Sequence, residues 1–183
     1  MSVFGYLKQI KDALADGRQK SRMSAGELLA LDDEALCHTL DIRLAWETRW
    51  QKPSENYASF YEGAKRAFFV VQQYDAEVNN GGLCQYFVNP SRLAAPYLAA
   101  SLEQIGAPSH AALFSNFLAQ NAIDPADLSA FVIRDLAEFS ALAQRYPFDA
   151  YDKACYALYE TEPLCPLLAA YARSHIDELA VMR

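Results

Sequence analysis

Cysteine is too sparse and too widely spaced in this chain to build a framework. Cys37, Cys84, Cys155 and Cys165 show no C-x-x-C pair and none of the close spacing of a secreted disulfide scaffold. Each has apolar neighbours in sequence, so buried, reduced thiols are expected. Histidine is equally thin: His38, His110 and His175 are scattered and form no H-x-x-x-H pair, and any zinc or di-iron site would have to assemble from remote positions. No metal and no cofactor is expected. Long apolar runs are missing as well. An aliphatic and aromatic run such as Ala67 to Val71 is far too short to span a bilayer, and no basic segment followed by an apolar stretch opens the chain. The expectation is a cytoplasmic protein without a membrane span. G-x-S-x-G, H-E-x-x-H, the dinucleotide fingerprint and G-x-x-x-x-G-K are all absent, so no catalytic motif argues for an enzyme.

What is present is enough for one ordinary domain. The 183 residues are 52% hydrophobic and 21% charged, which can bury a substantial core and argues against disorder. The 11 Tyr and 10 Phe are a large aromatic content for that length. Core packing is the expected use of most of it, with self-association the alternative for the remainder.

Apolar residues recur at helical spacing almost throughout. Val3, Leu7, Ile10 and Leu14 make one stripe on a first amphipathic helix that Gly17 would close, and the polar stretch Asp16 to Ser24 reads as a linker. Residues 1–23 are therefore set apart from an all-helical domain over 24–183. A second helix begins at Asp32, with Asp33 and Glu34 in its first turn, and carries Leu36, Leu40 and Leu44 inward until Pro53 and Ser54 break it. Pro96, Pro108 and Pro125 each suit the first turn of a helix. Asp124 would cap the third of these, a helix to Arg145 burying Leu128, Val132, Leu136, Phe139 and Ala143 before Tyr146-Pro147 ends it. Helices over 149–160 and 166–181 complete an all-α, single-domain bundle of about eight helices.

The densest run of unusual residues is Glu77-Val78-Asn79-Asn80-Gly81-Gly82-Leu83-Cys84-Gln85-Tyr86-Phe87-Val88-Asn89-Pro90. A helix from Phe60 to Val78 would end at residues that tolerate a left-handed backbone, and Leu83, Tyr86 and Phe87 would start a short element tucked under it.

This run, together with Ile105-Gly106-Ala107-Pro108 at the end of a following helix, closely resembles the signature of a bacterial DNA-mimic-protein-like family of domains of unknown function. The similarity covers roughly residues 55 to 180, the last helix resembling Leu167 to Leu179 around Tyr171 and His175. The resemblance implies an all-α domain, often dimeric, with at least one relative that binds a transcription factor through a DNA-like acidic surface.

Charge gives that implication mixed support. The formal net charge is −7, so direct nucleic-acid binding is not expected. Residues 1–23 lean basic through Lys8, Lys11, Arg18, Lys20 and Arg22, and the helix there could serve as an arm. Residues 121–183 carry ten acids against five bases. Asp124, Asp127, Asp135, Glu138, Asp149 and Asp152 are the candidates for an acidic partner-binding surface. Duplex DNA carries about one negative charge per 1.7 Å of axis, and a mimic needs a comparably dense array. Arg134 and Arg145 would share one stripe with Asp127 and Glu138 and cancel much of the field.

The second candidate site is the corner itself: Glu77, Asn79, Asn80, Gly81, Gly82 and Gln85. Read structurally, these side chains satisfy local backbone groups. Read functionally, Glu77 is an acid or base beside polar anchors in a cleft. No lysine or arginine lies between Arg66 and Arg92 to neutralise a phosphate there, and nothing designates a base to activate Cys84. The leading expectation is thus a non-enzymatic, homodimer-forming acidic interaction domain that engages a protein such as a transcription factor. The alternative is a small-ligand binder or enzyme with a cleft at the Asn79–Gln85 turn.

Overall fold

A computed structural model describes residues 12, 14–50 and 57–182. The expected apolar positions Val3, Leu7 and Ile10, the basic Lys8 and Lys11, and the break at Pro53 and Ser54 lie outside the described residues. Among those described, the chain is all-helical, with no strand.

Residues 14–20 are helical, so Gly17 does not close the first helix and the linker expected from Asp16 begins later. Gly17 serves close approach instead: a Cβ there would meet the Trp46 ring at 2.7 Å. Helix α1, Ala25–Leu29, opens on a capping box. Glu27 N–H donates to Ser24 Oγ at 3.3 Å while the Glu27 carboxylate accepts the Ser24 amide at 2.7 Å. Helix α2, Asp33–Glu47, starts as expected from Asp32, whose Oδ1 accepts the Ala35 amide at 2.8 Å. Leu36, Leu40 and Leu44 are all buried on its inner face, each worth about 1.5–3 kcal/mol of burial.

After the short α3, Tyr57–Phe60, comes the axis of the molecule, α4, Gly63–Val88. It begins at Gly63 rather than Phe60. It packs against α5 (Ala95–Gln104), α8 (Phe148–Leu158), α9 (Leu164–Ser174) and α2. A 3-10 turn, Pro90–Ala94, links α4 to α5, and α6 (Pro108–Gln120) follows. Pro96 and Pro108 occupy the first turns of α5 and α6, as their missing amide protons allow.

The helix expected from Pro125 does not form. Residues 125–135 are turns around a 3-10 segment, Ser129–Phe131, and α7 runs only over Leu136–Arg145. Asp124 bends the chain locally, its Oδ1 accepting the Ala126 amide at 2.8 Å, and Asp127 does the same for Ser129 at 3.2 Å. Asp135 is the true cap, accepting the Glu138 amide at 2.9 Å. The register of the expected stripe changes accordingly. Leu128 remains buried, but Val132 is 56% and Leu136 84% exposed. The C-terminal helix expected from 166 to 181 is two pieces, α9 and α10, Ile176–Leu179.

Most aromatic rings lie inside. Phe87 stacks on Phe131 with centroids 4.6 Å apart and also faces Phe114, Phe117 and Phe148. Two buried cations reach the polypeptide near both ends of the described chain. Arg43, 1% exposed, donates to the carbonyls of Lys20 and Met23 and, at 2.6 Å, to that of Ala180. Lys65 pairs with Glu47 at 2.7 Å, with side chains 6% and 0% exposed, and donates to the Val181 carbonyl.

Candidate functional site

The corner is a kink inside α4 rather than a loop. Gly81 has φ −162° and ψ 23°, and Gly82 has φ 76° and ψ −177°. The positive φ at Gly82 is the left-handed backbone that a side chain resists. It redirects the chain so that Leu83, Tyr86 and Phe87 are all fully buried. A kink loosens the helical hydrogen-bond ladder, and α8 supplies replacement partners on both sides of this one. Asp152 Oδ1 accepts the Leu83 amide at 2.8 Å, and one turn later Tyr156 donates its hydroxyl to the Val78 carbonyl at 2.8 Å.

Glu77 is the hub on the other face. Gln85 Nε2 and Asn89 Nδ2 donate to Oε2 at 2.7 and 2.8 Å, and Ser91 Oγ donates to Oε1 at 2.7 Å. A carboxylate holding three neutral donors is well satisfied without a ligand. Asn79 donates to the backbone and side chain of Asp75, both at 2.9 Å, and contacts the Tyr159 hydroxyl, which itself donates to Asp75. Asn80 points to solvent. Of the six corner residues named from sequence, Glu77 and Gln85 therefore meet directly, Gly81 and Gly82 make the bend, and Asn79 joins a neighbouring cluster.

Burial keeps the nearby thiol and acids in their neutral forms for longer. The Cys84 thiol is pushed up to about 11, first by burial and then by the Asp152 charge, which makes it a poor nucleophile at neutral pH. Burial likewise raises Asp75 and Asp152 above the usual carboxylate range, against the lowering pull of their hydrogen bonds. Beyond the corner runs a buried polar chain. His110 Nε2–H donates to the Glu162 carbonyl at 3.0 Å, leaving Nδ1 to face the Cys155 thiol at 3.7 Å. Tyr74 bridges Cys155 and Tyr151 at 3.4 and 2.5 Å. Burial holds His110 below the ordinary histidine value. The Tyr86 hydroxyl, also fully buried, has no hydrogen-bond partner among the described residues. Among the described residues no group of three or more His, Cys, Asp or Glu is placed to hold a metal.

The acidic candidates do not form one array. Asp124, Asp127 and Asp135 are exposed, but each is engaged in a local turn or cap. Glu138 accepts the Arg134 amide and guanidinium together, both at 2.8 Å. Arg134 thus neutralises Glu138 from the residues preceding α7, not from a shared helical stripe. Asp149 is exposed in the first turn of α8, while Asp152 is half-buried at the corner. Beside these acids, Val132, Ile133, Ala141, Leu142, Arg134 and Arg145 line a shallow groove of 440 Å³.

Sequence reasoning missed Asn89, Ser91, Asp75, Tyr156 and Tyr159. Asn89 lies inside the signature run, twelve residues from Glu77. Asp75 stands one turn before Asn79 on α4, while Ser91, Tyr156 and Tyr159 had no local signal because their contacts cross between elements.

No helix among the described residues is long and apolar enough to cross a membrane. Nothing among the curated proteins or the solved structures matches the chain. A family model for DMP19-like proteins does match, over residues 59–175, which takes in the kinked α4, the turn-rich acidic segment and nearly all of the helices packed on them. With well over half of its length covered by that match, the chain belongs to the DMP19-like protein family.

Proposed function

We propose that this protein is a non-enzymatic acidic interaction domain whose partner is a DNA-binding regulator. The observation that carries the reading is the exposure of Val132 and Leu136, 56% and 84%, in a segment whose neighbours in sequence include Asp124, Asp127, Asp135 and Glu138. Large apolar side chains held in water beside carboxylates suit a partner surface that is itself part apolar and part basic. Such basic surfaces are what DNA-binding proteins present to phosphates. The overall charge of −7 favours approach to a cationic partner and disfavours nucleic acid.

The interrupted acids argue for a mixed apolar and electrostatic contact rather than a phosphate-like ladder of charge. Binding should therefore weaken with salt, but less steeply than the binding of the same regulator to duplex DNA. A homodimeric, cytoplasmic protein belongs to the same proposal. Sedimentation velocity reads the first of these and fractionation the second.

The rival reading, a ligand cleft at the Asn79–Gln85 turn, is disfavoured by Glu77. Its carboxylate already has three donors within 2.8 Å. Biolayer interferometry against a panel of purified helix-turn-helix regulators, with duplex DNA as competitor, tests the proposal. Saturable binding that DNA displaces, and that Val132→Ser with Leu136→Ser abolishes, is the expected result. No binding across the panel, with a metabolite-induced thermal shift lost in Asn80→Ala, would replace it with the rival.

A further inference from the structure

Helices α2 and α9 pack together, and each carries a cysteine where they meet. Cys37 lies in the second turn of α2 and Cys165 is the second residue of α9. The Cys37 thiol donates toward the Cys165 carbonyl at 3.7 Å, and the two thiols are close enough to act on each other's titration. Two turns further along α9, Arg173 donates to Asp33 Oδ1 at 2.6 Å and to the Leu31 carbonyl at 3.0 Å. The helices therefore run antiparallel and are pinned two turns from the sulfurs, which limits how far the thiols can separate. We propose that Cys37 and Cys165 form a reversible disulfide, made by exchange with a small-molecule disulfide, that staples α2 to α9.

Accessibility sets the order of events. Cys37 is 4% exposed, whereas Cys165 is only half-buried and stands at a helix N-terminus, whose dipole favours a thiolate. The Cys165 sulfur attacks the small disulfide, forming a mixed disulfide and expelling one half as thiolate. Cys37 then loses its proton to solvent, attacks the Cys165 sulfur and expels the second half. The two cysteines lose two electrons, and the oxidant is reduced to two thiols. Burial, with Asp33 and Asp75 nearby, raises both thiols, so exchange is slow at neutral pH and faster in alkali. The staple would tie α2, which lies outside residues 59–175, to the last long helix inside that stretch.

The test incubates the full chain with glutathione disulfide at about pH 8.5, alkylates residual thiols with N-ethylmaleimide and maps peptides without reduction. A Cys37–Cys165 peptide pair should dominate, with Cys84 and Cys155 alkylated. The closed loop is long, so the melting temperature should rise by about 10 °C and fall back on adding dithiothreitol. Cys165→Ser should remove the link and leave Cys37 unmodified, while Cys84→Ser should leave the link in place. The proposal is overturned if Cys165 ends as its glutathione adduct, if it links two chains, or if wild-type protein keeps four free thiols.

Discussion

Asp152 caps Leu83 from another helix: its Oδ1 takes the amide at 2.8 Å, immediately after the one residue of α4 whose φ is +76°. The bend and its cap are mutually dependent. Without Gly82 the carboxylate has no room to approach, and without the carboxylate the amide opened by the bend is buried with no acceptor. Tyr156, one turn along α8, completes the repair at the Val78 carbonyl.

Gly82→Ala should therefore cost more than backbone strain alone. Its Cβ would stand 2.1 Å from Asp152 Oδ2, so the carboxylate must withdraw as the left-handed residue is strained, for a loss of about 2–4 kcal/mol. Gly106 has φ +86° but its nearest neighbour would be Leu167 Cδ2 at 4.0 Å, so Gly106→Ala should cost only about 1 kcal/mol. Urea denaturation of the two variants measures the difference, and equal losses would refute the coupling.

Asp75 gives the fold a pH signature. Burial raises its folded value above the ordinary 3.8, despite hydrogen bonds from Tyr159 and Asn79. A carboxyl that binds its proton more tightly when folded is stabilised as it protonates, so wild type should gain stability relative to Asp75→Asn as pH falls from the raised folded value toward 3.8. Paired denaturation curves across that acidic range report it. A gap that stays constant would show that Asp75 titrates as freely in the fold as outside it.

Two neighbouring tyrosines should respond oppositely to loss of the hydroxyl. Tyr86 OH is buried without a partner among the described residues, so Tyr86→Phe should be neutral or stabilising by about 1 kcal/mol. Tyr74 OH joins Tyr151 and Cys155, so Tyr74→Phe should destabilise by about 1–2 kcal/mol. Thermal melts of both, monitored by circular dichroism, are sufficient.

Lys65 and Glu47 form a buried pair at 2.7 Å. Lys65→Met takes the paired cation away from a buried carboxylate and should cost about 3–5 kcal/mol, whereas the double variant Lys65→Met/Glu47→Leu should recover most of that loss. Equilibrium unfolding of the two variants provides the comparison. Equal destabilisation in both would place the cost in packing rather than charge.

What could be read from the chain beforehand divides by distance. Asp32 as a cap, the inward Leu36, Leu40 and Leu44 and the helix-opening Pro108 are local effects, and each appears as expected, while the corner expected to end a helix at Val78 is instead a kink at Gly81 and Gly82 with Asn79 and Asn80 still helical. Pro125 misled because Asp124 and Asp127 bind their own downstream amides, which competes with helix initiation until Asp135 offers a cap free of that competition. At the corner, the meeting of Glu77 and Gln85 was legible, whereas Asn79 bonds Asp75 and Tyr159 instead. Asp152, Tyr156 and Tyr159 were not legible, since they reach the corner from 69 to 84 residues away. The exposed pair Val132 and Leu136 was hidden by the same mistaken helix.

The grip of Arg43 on Lys20, Met23 and Ala180, and of Lys65 on Val181, ties segments far apart in sequence to two buried cations. Removing residues 180–182 would take one carbonyl acceptor from each of two buried cations, so it should lower the stability of the domain as a whole rather than loosen its last turn alone. Amide protons near Ala180 should accordingly exchange as slowly as those at the centre of the molecule.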